Sequence, residues 1–225
     1  ANEVMRNRSQ ILAENLIKWG YPDVIVTNND PADFTELPPL FDVILTDVPC
    51  SGEGMFRKDE VAIEEWSVDN VDVCWQRQRR ILNDIWPTLK PGGLLIYSTC
   101  TFNREENEKN AQWITEELGA EVLPINHNPE WGITEGKPGY HFYPHKTKGE
   151  GFYLCAFRKS GVAKGAFRIP KQKNPVSETV EFKDIMQSWL LHPDLWTIRQ
   201  QDRFVVAYPA KYKQLIEFLN SQFIC

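Results

Sequence analysis

The sequence predicts an α/β fold in which helices cover a mostly parallel, doubly wound sheet. Two observations support this prediction. Short apolar runs rich in β-branched residues recur through residues 1–160, and stretches with a helical apolar stripe lie between them. Glycine, proline and asparagine separate the two kinds of segment. Strands that alternate with helices in this way are typical of sheets whose neighbouring strands run parallel.

The elements follow from these patterns in chain order. The first helix is predicted at residues 4–19, where apolar residues share one face up to a glycine and proline stop. A second helix is predicted at 76–89, with Lys90-Pro-Gly-Gly93 as its C-terminal cap. A third is predicted at 103–118, with Asn103 as its N-cap. The predicted strands are residues 23–27, 41–46, 93–98, 121–125 and 151–157.

The composition changes around residues 161–177, where Lys, Gly, Pro, Gln and Asn replace apolar residues. This segment is predicted to be a linker that follows a domain at residues 1–160. Residues 178–225 are predicted to form a small second unit that contains both helix and strand. Its predicted elements are helices at 182–190 and 212–219 and a strand at 203–208.

Composition limits the classes of protein to which the chain can belong. No apolar run approaches the ~20 residues of a membrane span, and the first residues do not resemble a signal peptide. The five cysteines include no Cys-x-x-Cys pair, which favours a reducing compartment. We therefore expect a cytoplasmic, monomeric protein without a membrane span. The net charge of −6 neither requires nor excludes a nucleic-acid partner.

Cysteines directly follow two of the predicted strands. Thr46-Asp-Val-Pro-Cys-Ser-Gly-Glu-Gly54 contains Cys50, and Tyr97-Ser-Thr-Cys-Thr-Phe-Asn103 contains Cys100. Because ligands of parallel sheets bind at the carboxyl ends of the strands, we expect the two cysteines to face one pocket. A free cysteine is more often a small buried apolar residue, and three are interpreted in this way or as surface thiols: Cys74, Cys155 and Cys225.

Asp47-Val-Pro-Cys-Ser-Gly52 followed by Ser98-Thr-Cys100 resembles the paired signature of the Nol1/Nop2/Sun family of RNA 5-methylcytosine methyltransferases. The continuations Gly52-Glu-Gly-Met-Phe-Arg-Lys-Asp59 and Asn103-Arg-Glu-Glu-Asn-Glu108 resemble its bacterial ribosomal-RNA branch, the RsmF-like enzymes. The resemblance extends from residue 1 to about residue 158. A pair of cysteine motifs in this order is a specific signal, whereas a single Pro-Cys is not.

The resemblance implies a fold and a set of partners. The fold is a Rossmann-like class I methyltransferase sheet with a small C-terminal α+β unit. Residues 1–160 would be the methyltransferase catalytic domain, and 178–225 would begin an RNA-binding accessory domain. The implied cofactor is S-adenosylmethionine, and the implied substrate is a cytosine of RNA, most simply ribosomal RNA. That cytosine must be unpaired or flipped out of its helix to reach a thiolate.

Carbon 5 of cytosine is a poor nucleophile until a group adds to carbon 6, and a thiolate is suited to that addition. The family assigns this role to the position of Cys100, and we expect a nearby helix N-terminus to lower its pKa. Cys50 would then assist release of the product. Asp47 would contact the cytosine edge and lie near the cofactor. An alternative for Asp47 is a turn cap on nearby backbone amides.

The resemblance also implies residues that hold the cofactor and the RNA. Glu3 matches the acid that binds the ribose hydroxyls, with a solvated chain terminus as the alternative. Asp30 matches the acid near the adenine, with an Asx turn before Pro31 as the alternative. Arg57 and Lys58 would meet RNA phosphates at the mouth of the pocket.

The sequence departs from the family pattern at the cofactor loop. The family's first strand and its Pro-Gly-Gly-Lys loop lie upstream of the position of Glu3, and nothing in this chain resembles them. Gly92-Gly93 is better interpreted as a helix cap. We therefore expect the sequence to be part of a longer protein, and to be inactive by itself.

Two other classes of function remain open. A non-catalytic RNA-binding fragment or degenerate homologue would explain the absent loop. A cysteine hydrolase or thiol-redox enzyme would use the two thiols, but no histidine base is evident near either. His141 and His145 are interpreted as solvated loop residues, and no metal site is predicted. Three aromatic residues that could stack on bases are assigned to the core: Phe56, Trp66 and Trp75.

Overall fold

The computed structural model describes residues 1–21, 23–162, 188–201 and 204–222. The chain divides into two compact units. The first unit consists of Ala1–Asp33 together with Arg168–Cys225, and the second consists of Phe34–Phe167. The predicted linker at 161–177 and the predicted helix at 182–190 fall largely outside the described residues, and the predicted domain boundaries stay a prediction. No described helix has the length and hydropathy that a membrane span requires.

The second unit contains the sheet. Its strands are β1 (Phe41–Asp47), β2 (Leu89–Thr99), β3 (Ala120–Leu123), β4 (Thr134–Glu135), β5 (Tyr140–Phe142) and β6 (Phe152–Lys159). The strand order is β1-β2-β6-β5-β4, and β3 also pairs with β6. The predicted α/β class is confirmed. Four of the predicted strands are present as β1, β2, β3 and β6, and each of their ends lies within four residues of its predicted position.

The expectation of a mostly parallel sheet is wrong for the described strands. Only β1 and β2 pair in parallel, whereas β6 is antiparallel to β2, β3 and β5. The short strands β4 and β5 were not predicted, and a tight turn between them returns the chain in the opposite direction. The chain then enters β6 without a crossover helix, so β6 inserts antiparallel between β2 and β3.

The described part of the second unit contains three α-helices: α2 (Glu60–Glu65), α3 (Val68–Ile85) and α4 (Glu108–Glu116). The helix predicted at 76–89 begins earlier, because the Ser67 hydroxyl caps it by accepting from the N–H of Asn70 at 3.0 Å. It ends before Pro87, which has no N–H to continue it. The third helix is shorter than predicted, since residues 104–107 form a turn and α4 begins at Glu108.

The interpretation of Gly92-Gly93 as a helix cap is wrong. Both residues lie in β2, where the pairing with β1 shifts register between Phe41 and Val43. A side chain on Gly93 would place its Cβ 2.7 Å from Leu89 Cδ1 and 2.9 Å from the Asp42 carbonyl oxygen. The two glycines therefore allow a bulge at the start of a buried strand.

The core of the second unit lies where α3 and α4 pack on β2 and β6. Its buried side chains are Val48, Leu82, Leu89, Leu95, Tyr97, Ala111, Ile114, Ala120, Tyr153, Cys155 and Phe157. Alternate residues of β6 point into this cluster, as the two-residue period of a strand requires. The cluster anchors β2 beneath the segment that carries Cys100.

The first unit contains α1 (Arg6–Trp19), the antiparallel strands β7 (Trp196–Gln201) and β8 (Phe204–Pro209), and α5 (Lys213–Gln222). The predicted strand at 23–27 is wrong. Within residues 23–27, Thr27 alone forms a β-bridge, and its partner is Asn2. The backbone of Thr27 hydrogen-bonds Ala1 and Glu3, on either side of Asn2. The predicted helix at 4–19 is confirmed, and Gly20 ends it in the left-handed conformation with φ 77°.

Leu82→Ala is expected to lower the free energy of unfolding by about 2–5 kcal/mol, because Leu82 is fully buried between α3 and the sheet. Val73→Ala is the control on the exposed face of the same helix, and a change below ~0.5 kcal/mol is expected there. Urea unfolding followed by circular dichroism measures both. Equal effects of the two substitutions would contradict the assignment of the core.

Candidate active site

Two loops at the carboxyl ends of β1 and β2 form the candidate site. The parallel register places Asp47 opposite Ser98, so both strands end at the same level. The N–H of Gly54 donates to the Cys100 carbonyl oxygen at 2.7 Å. A Cβ on Gly54 would clash with that oxygen, so only glycine allows the two backbones to approach so closely.

The sulfurs of Cys50 and Cys100 lie 3.0 Å apart, although the residues are 50 positions apart in the chain. Both cysteines are free thiols and both are partly exposed. The expectation that the two strand ends bring these cysteines to one place is confirmed. A cysteine buried only for packing would not require such a partner. Cys74 and Cys155 are buried, the first of the two alternatives considered for them. Cys225 lies outside the described residues.

The hydrogen bond between the sulfurs makes the two thiols unequal. The hydrogen bond from Cys50 lowers the pKa of Cys100 below the ordinary thiol value, although burial and the charges of Asp47 and Glu106 oppose it. The same hydrogen bond, together with burial, raises the pKa of Cys50 far above that value. The pair therefore loses its first proton from Cys100, and Cys50 remains a thiol that donates to the thiolate.

This cause differs from the expected one. A helix N-terminus close to Cys100 was expected to lower its pKa, but α4 begins only at Glu108. Asn103 caps the intervening turn instead, since its side-chain oxygen accepts from the N–H of Glu106 at 3.0 Å. The neighbouring thiol supplies the stabilisation that the helix was expected to give.

Asp47 ends β1 and is exposed. Its negative charge acts on Cys100. Within the described part of the chain the Asp47 carboxylate accepts no hydrogen bond, so the alternative of a turn cap on backbone amides has no support in the structure. The carboxylate is accessible to a molecule that approaches the cysteines.

Arg57 and Lys58 follow the Cys50 loop and are both exposed. Lys58 Nζ lies 3.5 Å from a carboxylate oxygen of Glu150. Arg57 has no ion pair or hydrogen bond among the described residues. Both cations are accessible to an anion, and Lys58 would exchange a weak surface ion pair for it.

Glu3 and Asp30 belong to the first unit. The Glu3 carboxylate accepts from the N–H of Met5 at 2.9 Å and pairs with Arg8 at 3.1 Å, so Glu3 is not a solvated terminus. Asp30 Oδ1 accepts from the N–H of Ala32 at 3.0 Å, which is the Asx turn considered as its alternative. Their roles in cofactor binding stay predictions.

A network of buried polar side chains beneath the cysteines was not predicted from the sequence. Glu106 is fully buried and bonds Ser51, Gln78 and Asn103. Glu53 accepts from the N–H of Phe102 at 2.8 Å and bridges the same two loops. The run of acids and amides at 103–108 was the available signal, but a run of this kind does not reveal which members point inward.

The interpretation of His141 as a solvated loop residue is wrong. His141 lies in β5 with 3% of its surface exposed, and its Nε2 lies 2.7 Å from Glu108 Oε1. His145 is exposed, and its ring stacks on Tyr143. No histidine hydrogen-bonds either Cys50 or Cys100 in the described residues, so a hydrolase mechanism lacks its base there. The residues that the structure describes contain no group of three or more metal-binding side chains.

Solved structures with this fold define the class of protein. The crystal structure of NSun6 from Pyrococcus horikoshii with SFG is 27% identical, with a TM-score of 0.63 over 72% of this chain and 41% of that one. A methyltransferase homolog protein from Pyrococcus horikoshii is 32% identical, with a TM-score of 0.58 over 71% of this chain and 52% of that one. The fold is the Rossmann-like sheet of Nol1/Nop2/Sun-type methyltransferases, as the motifs predicted.

Within that class, residues 1–158 match the family described as 16S rRNA methyltransferase RsmB/F, and the chain belongs to this family. Similar curated relatives include Ribosomal RNA small subunit methyltransferase F of Aliivibrio fischeri (strain MJ11) and of Citrobacter koseri. Each is 34% identical over 96% of this chain. The chain spans about half the length of these relatives, 48% in each case.

Cys50→Ala is expected to raise the pKa of Cys100, because burial and two nearby carboxylates remain while the hydrogen-bond donor is lost. Alkylation of Cys100 by iodoacetamide at pH 7 should slow about tenfold, as expected for one hydrogen bond to a charged group. The pH at which Cys100 alkylation reaches half its maximal rate should move upward. Peptide mass spectrometry measures the alkylation of Cys100 separately from that of the other cysteines.

Cys50→Ser is the matched control, since serine keeps an O–H donor at the same position. The upward shift should be smaller in this variant than in Cys50→Ala. An unchanged midpoint in Cys50→Ala would mean that the neighbouring thiol does not set the pKa of Cys100.

Proposed function

We propose that this chain carries the catalytic site of an RNA methyltransferase that uses S-adenosylmethionine to methylate carbon 5 of a cytosine. The observation that carries the proposal is the 3.0 Å contact between two sulfurs whose pKa values move in opposite directions. A thiolate nucleophile and a neighbouring thiol are the two groups that this chemistry requires. The names of the family and of its curated relatives support ribosomal RNA as the substrate.

In the first step the Cys100 thiolate adds to carbon 6 of the cytosine. The addition forms a carbon–sulfur bond and places electron density on carbon 5, which then becomes the nucleophile. Two features suit Cys100 to this step, its lowered pKa and its partial exposure. When bound, S-adenosylmethionine supplies the electrophilic methyl group.

Asp47 is positioned to contact the base. Its exposed carboxylate is free of hydrogen bonds within the described part of the chain and lies close enough to influence Cys100. The amino group on carbon 4 of cytosine is a hydrogen-bond donor that a carboxylate accepts. A contact of this kind would orient the ring so that carbon 6 faces the thiolate.

Cys50 is suited to the second half of the reaction because the first half changes its environment. The hydrogen bond to Cys100, burial and the negative charge on Cys100 all raise the pKa of Cys50. Once the Cys100 sulfur is bonded to carbon 6, the hydrogen bond and the charge are lost, burial alone remains, and Cys50 releases its proton to solvent more readily. The Cys50 thiolate then takes the proton from carbon 5, and Cys100 leaves as a thiolate. One proton is released in each cycle, and the pair returns to its starting state.

The two carboxylates predicted to hold the cofactor suit it in chemical type, Glu3 at the ribose and Asp30 near the adenine. Glu3 and the start of the Asp30 turn lie on neighbouring segments of the first unit, joined by the bridge between Asn2 and Thr27. The carboxylate of Glu3 would accept hydrogen bonds from the ribose hydroxyls, that of Asp30 would lie near the adenine, and both residues are partly exposed. A ribose that binds Glu3 would compete with Arg8.

In the full-length protein, Cys50→Ala is expected to accumulate a covalent adduct with RNA, because the base for carbon 5 is removed after the methyl group has been transferred. Cys100→Ala is expected to form none, because the attacking sulfur is absent. Each variant is incubated with S-adenosylmethionine and an unmodified transcript of 16S rRNA, and adducts are separated on a denaturing gel. An adduct that persists in Cys100→Ala would show that the nucleophile is assigned wrongly.

The alternative of a non-catalytic homologue gives a different pattern. In that case neither variant forms an adduct, and titration calorimetry of the full-length protein with S-adenosylmethionine gives no heat of binding. Cofactor binding accompanied by an adduct in Cys50→Ala alone excludes the alternative.

A further inference from the structure

Glu106 is a carboxylate with no exposed surface, and it lies between the two cysteine loops. No lysine or arginine pairs with it among the described residues. Neutral donors surround it instead: the backbone N–H of Ser51 at 3.0 Å, Gln78 Nε2 at 2.7 Å and Asn103 Nδ2 at 2.7 Å. A charge removed from water is strongly destabilising unless each oxygen has a hydrogen-bond partner, and here each does.

The donors connect Glu106 to both sides of Cys50. Ser51, directly after Cys50, donates its backbone N–H to the carboxylate. Gln78 of α3 donates to the carboxylate and also to the carbonyl oxygen of Pro49, directly before Cys50, at 3.0 Å. Glu106 itself lies in the turn that follows Cys100. One carboxylate therefore joins the Cys50 loop to the Cys100 loop.

Neighbouring side chains fix the orientation of the Gln78 amide. Gln78 Oε1 accepts from Asn110 Nδ2 at 2.6 Å and lies 2.8 Å from the Tyr97 hydroxyl. The amide nitrogen of Gln78 must therefore face Glu106 and Pro49. With glutamine at position 106, the side-chain NH2 would face one or more of the N–H donors that now bind the carboxylate. The side-chain amide of Gln78 could not flip to remove this repulsion, because its own oxygen and nitrogen are both fixed by hydrogen bonds.

We propose that Glu106 is a positioning residue whose carboxylate holds residues 49–51 against residues 101–107 and thereby sets the contact between the Cys50 and Cys100 sulfurs. The inference rests on the proposed function for the role of Cys100 as nucleophile. The contact itself is a property of this chain, and it can be measured without RNA or cofactor.

Glu106 acts on Cys100 in two opposite directions. Its negative charge disfavours the thiolate, as does that of Asp47, whereas the Cys50 thiol that it positions favours the thiolate. Cys50, Asp47 and Glu106 are the titratable side chains that act on Cys100. The sign of the change on removal of the carboxylate therefore reveals which effect is larger.

The test is the pH dependence of Cys100 alkylation in Glu106→Gln. If the carboxylate positions Cys50, the midpoint moves upward and alkylation at pH 7 slows about tenfold, as for the loss of one hydrogen bond to the thiolate. If Glu106 acts only through its charge, the midpoint moves downward, and the proposal is overturned. Glu105→Gln is the control, because it removes the adjacent carboxylate, which is partly exposed and paired with Lys109. No shift is expected there.

A double substitution tests whether the effect passes through Cys50. In a Cys50→Ala background, Glu106→Gln should give no upward shift, since the donor that Glu106 positions is already absent. An upward shift of equal size in both backgrounds would overturn the proposal.

Asn103→Ala provides a second variant in case Glu106→Gln does not fold, which circular dichroism will report. It removes a hydrogen bond to Glu106 from a partly exposed residue and leaves the carboxylate charged. The pH midpoint of Cys100 alkylation is expected to move upward by less than in Glu106→Gln. A downward shift of that midpoint, or no shift, would count against the proposal. These alkylation measurements stand whether or not the protein methylates RNA, so failure of the inference and failure of the proposed function are separate outcomes.

Discussion

The site depends on one hydrogen bond, between the sulfurs of Cys50 and Cys100. It stabilises one thiolate, keeps the other sulfur protonated, and fixes the order in which the two act in the proposed reaction. A contact between residues so distant in the chain requires rigid support. The parallel pairing of β1 and β2 brings the loops to the same edge, and the close approach at Gly54 joins them.

The buried polar network beneath the sulfurs completes that support. A hydrophobic core alone would leave the loops free to slide, because apolar contacts are not directional. Hydrogen bonds fix distances and angles, and those around Glu106 and Gln78 are satisfied on every side. The arrangement places a buried carboxylate, which disfavours a thiolate, close to the nucleophile. The buried charge is stabilised by the hydrogen bonds that Glu106 accepts. In its effect on the pKa of Cys100, the hydrogen bond from Cys50 is larger than the charge of Glu106.

Much of the fold and the meeting of the cysteines could be predicted from the sequence. Apolar runs identify β1, β2 and β6, because a buried strand leaves a local signal. Cysteines that follow neighbouring parallel strands lie at the same edge of the sheet. Features that depend on distant partners could not be predicted. Gly92-Gly93 resembles a helix cap unless the bulge beside β1 is known, and residues 23–27 resemble a strand although they have only a short partner. The burial of Glu106 and His141 likewise depends on contacts across the fold.

The most direct measurement of the central claim is the titration of the two thiols by NMR, with cysteine labelled with carbon-13 at Cβ. The account predicts that the Cys100 resonance titrates below the ordinary thiol pKa of about 8.5, and that the Cys50 resonance stays constant through the same range. Two resonances that titrate together near the ordinary value, or a Cys50 resonance that titrates first, would contradict the account.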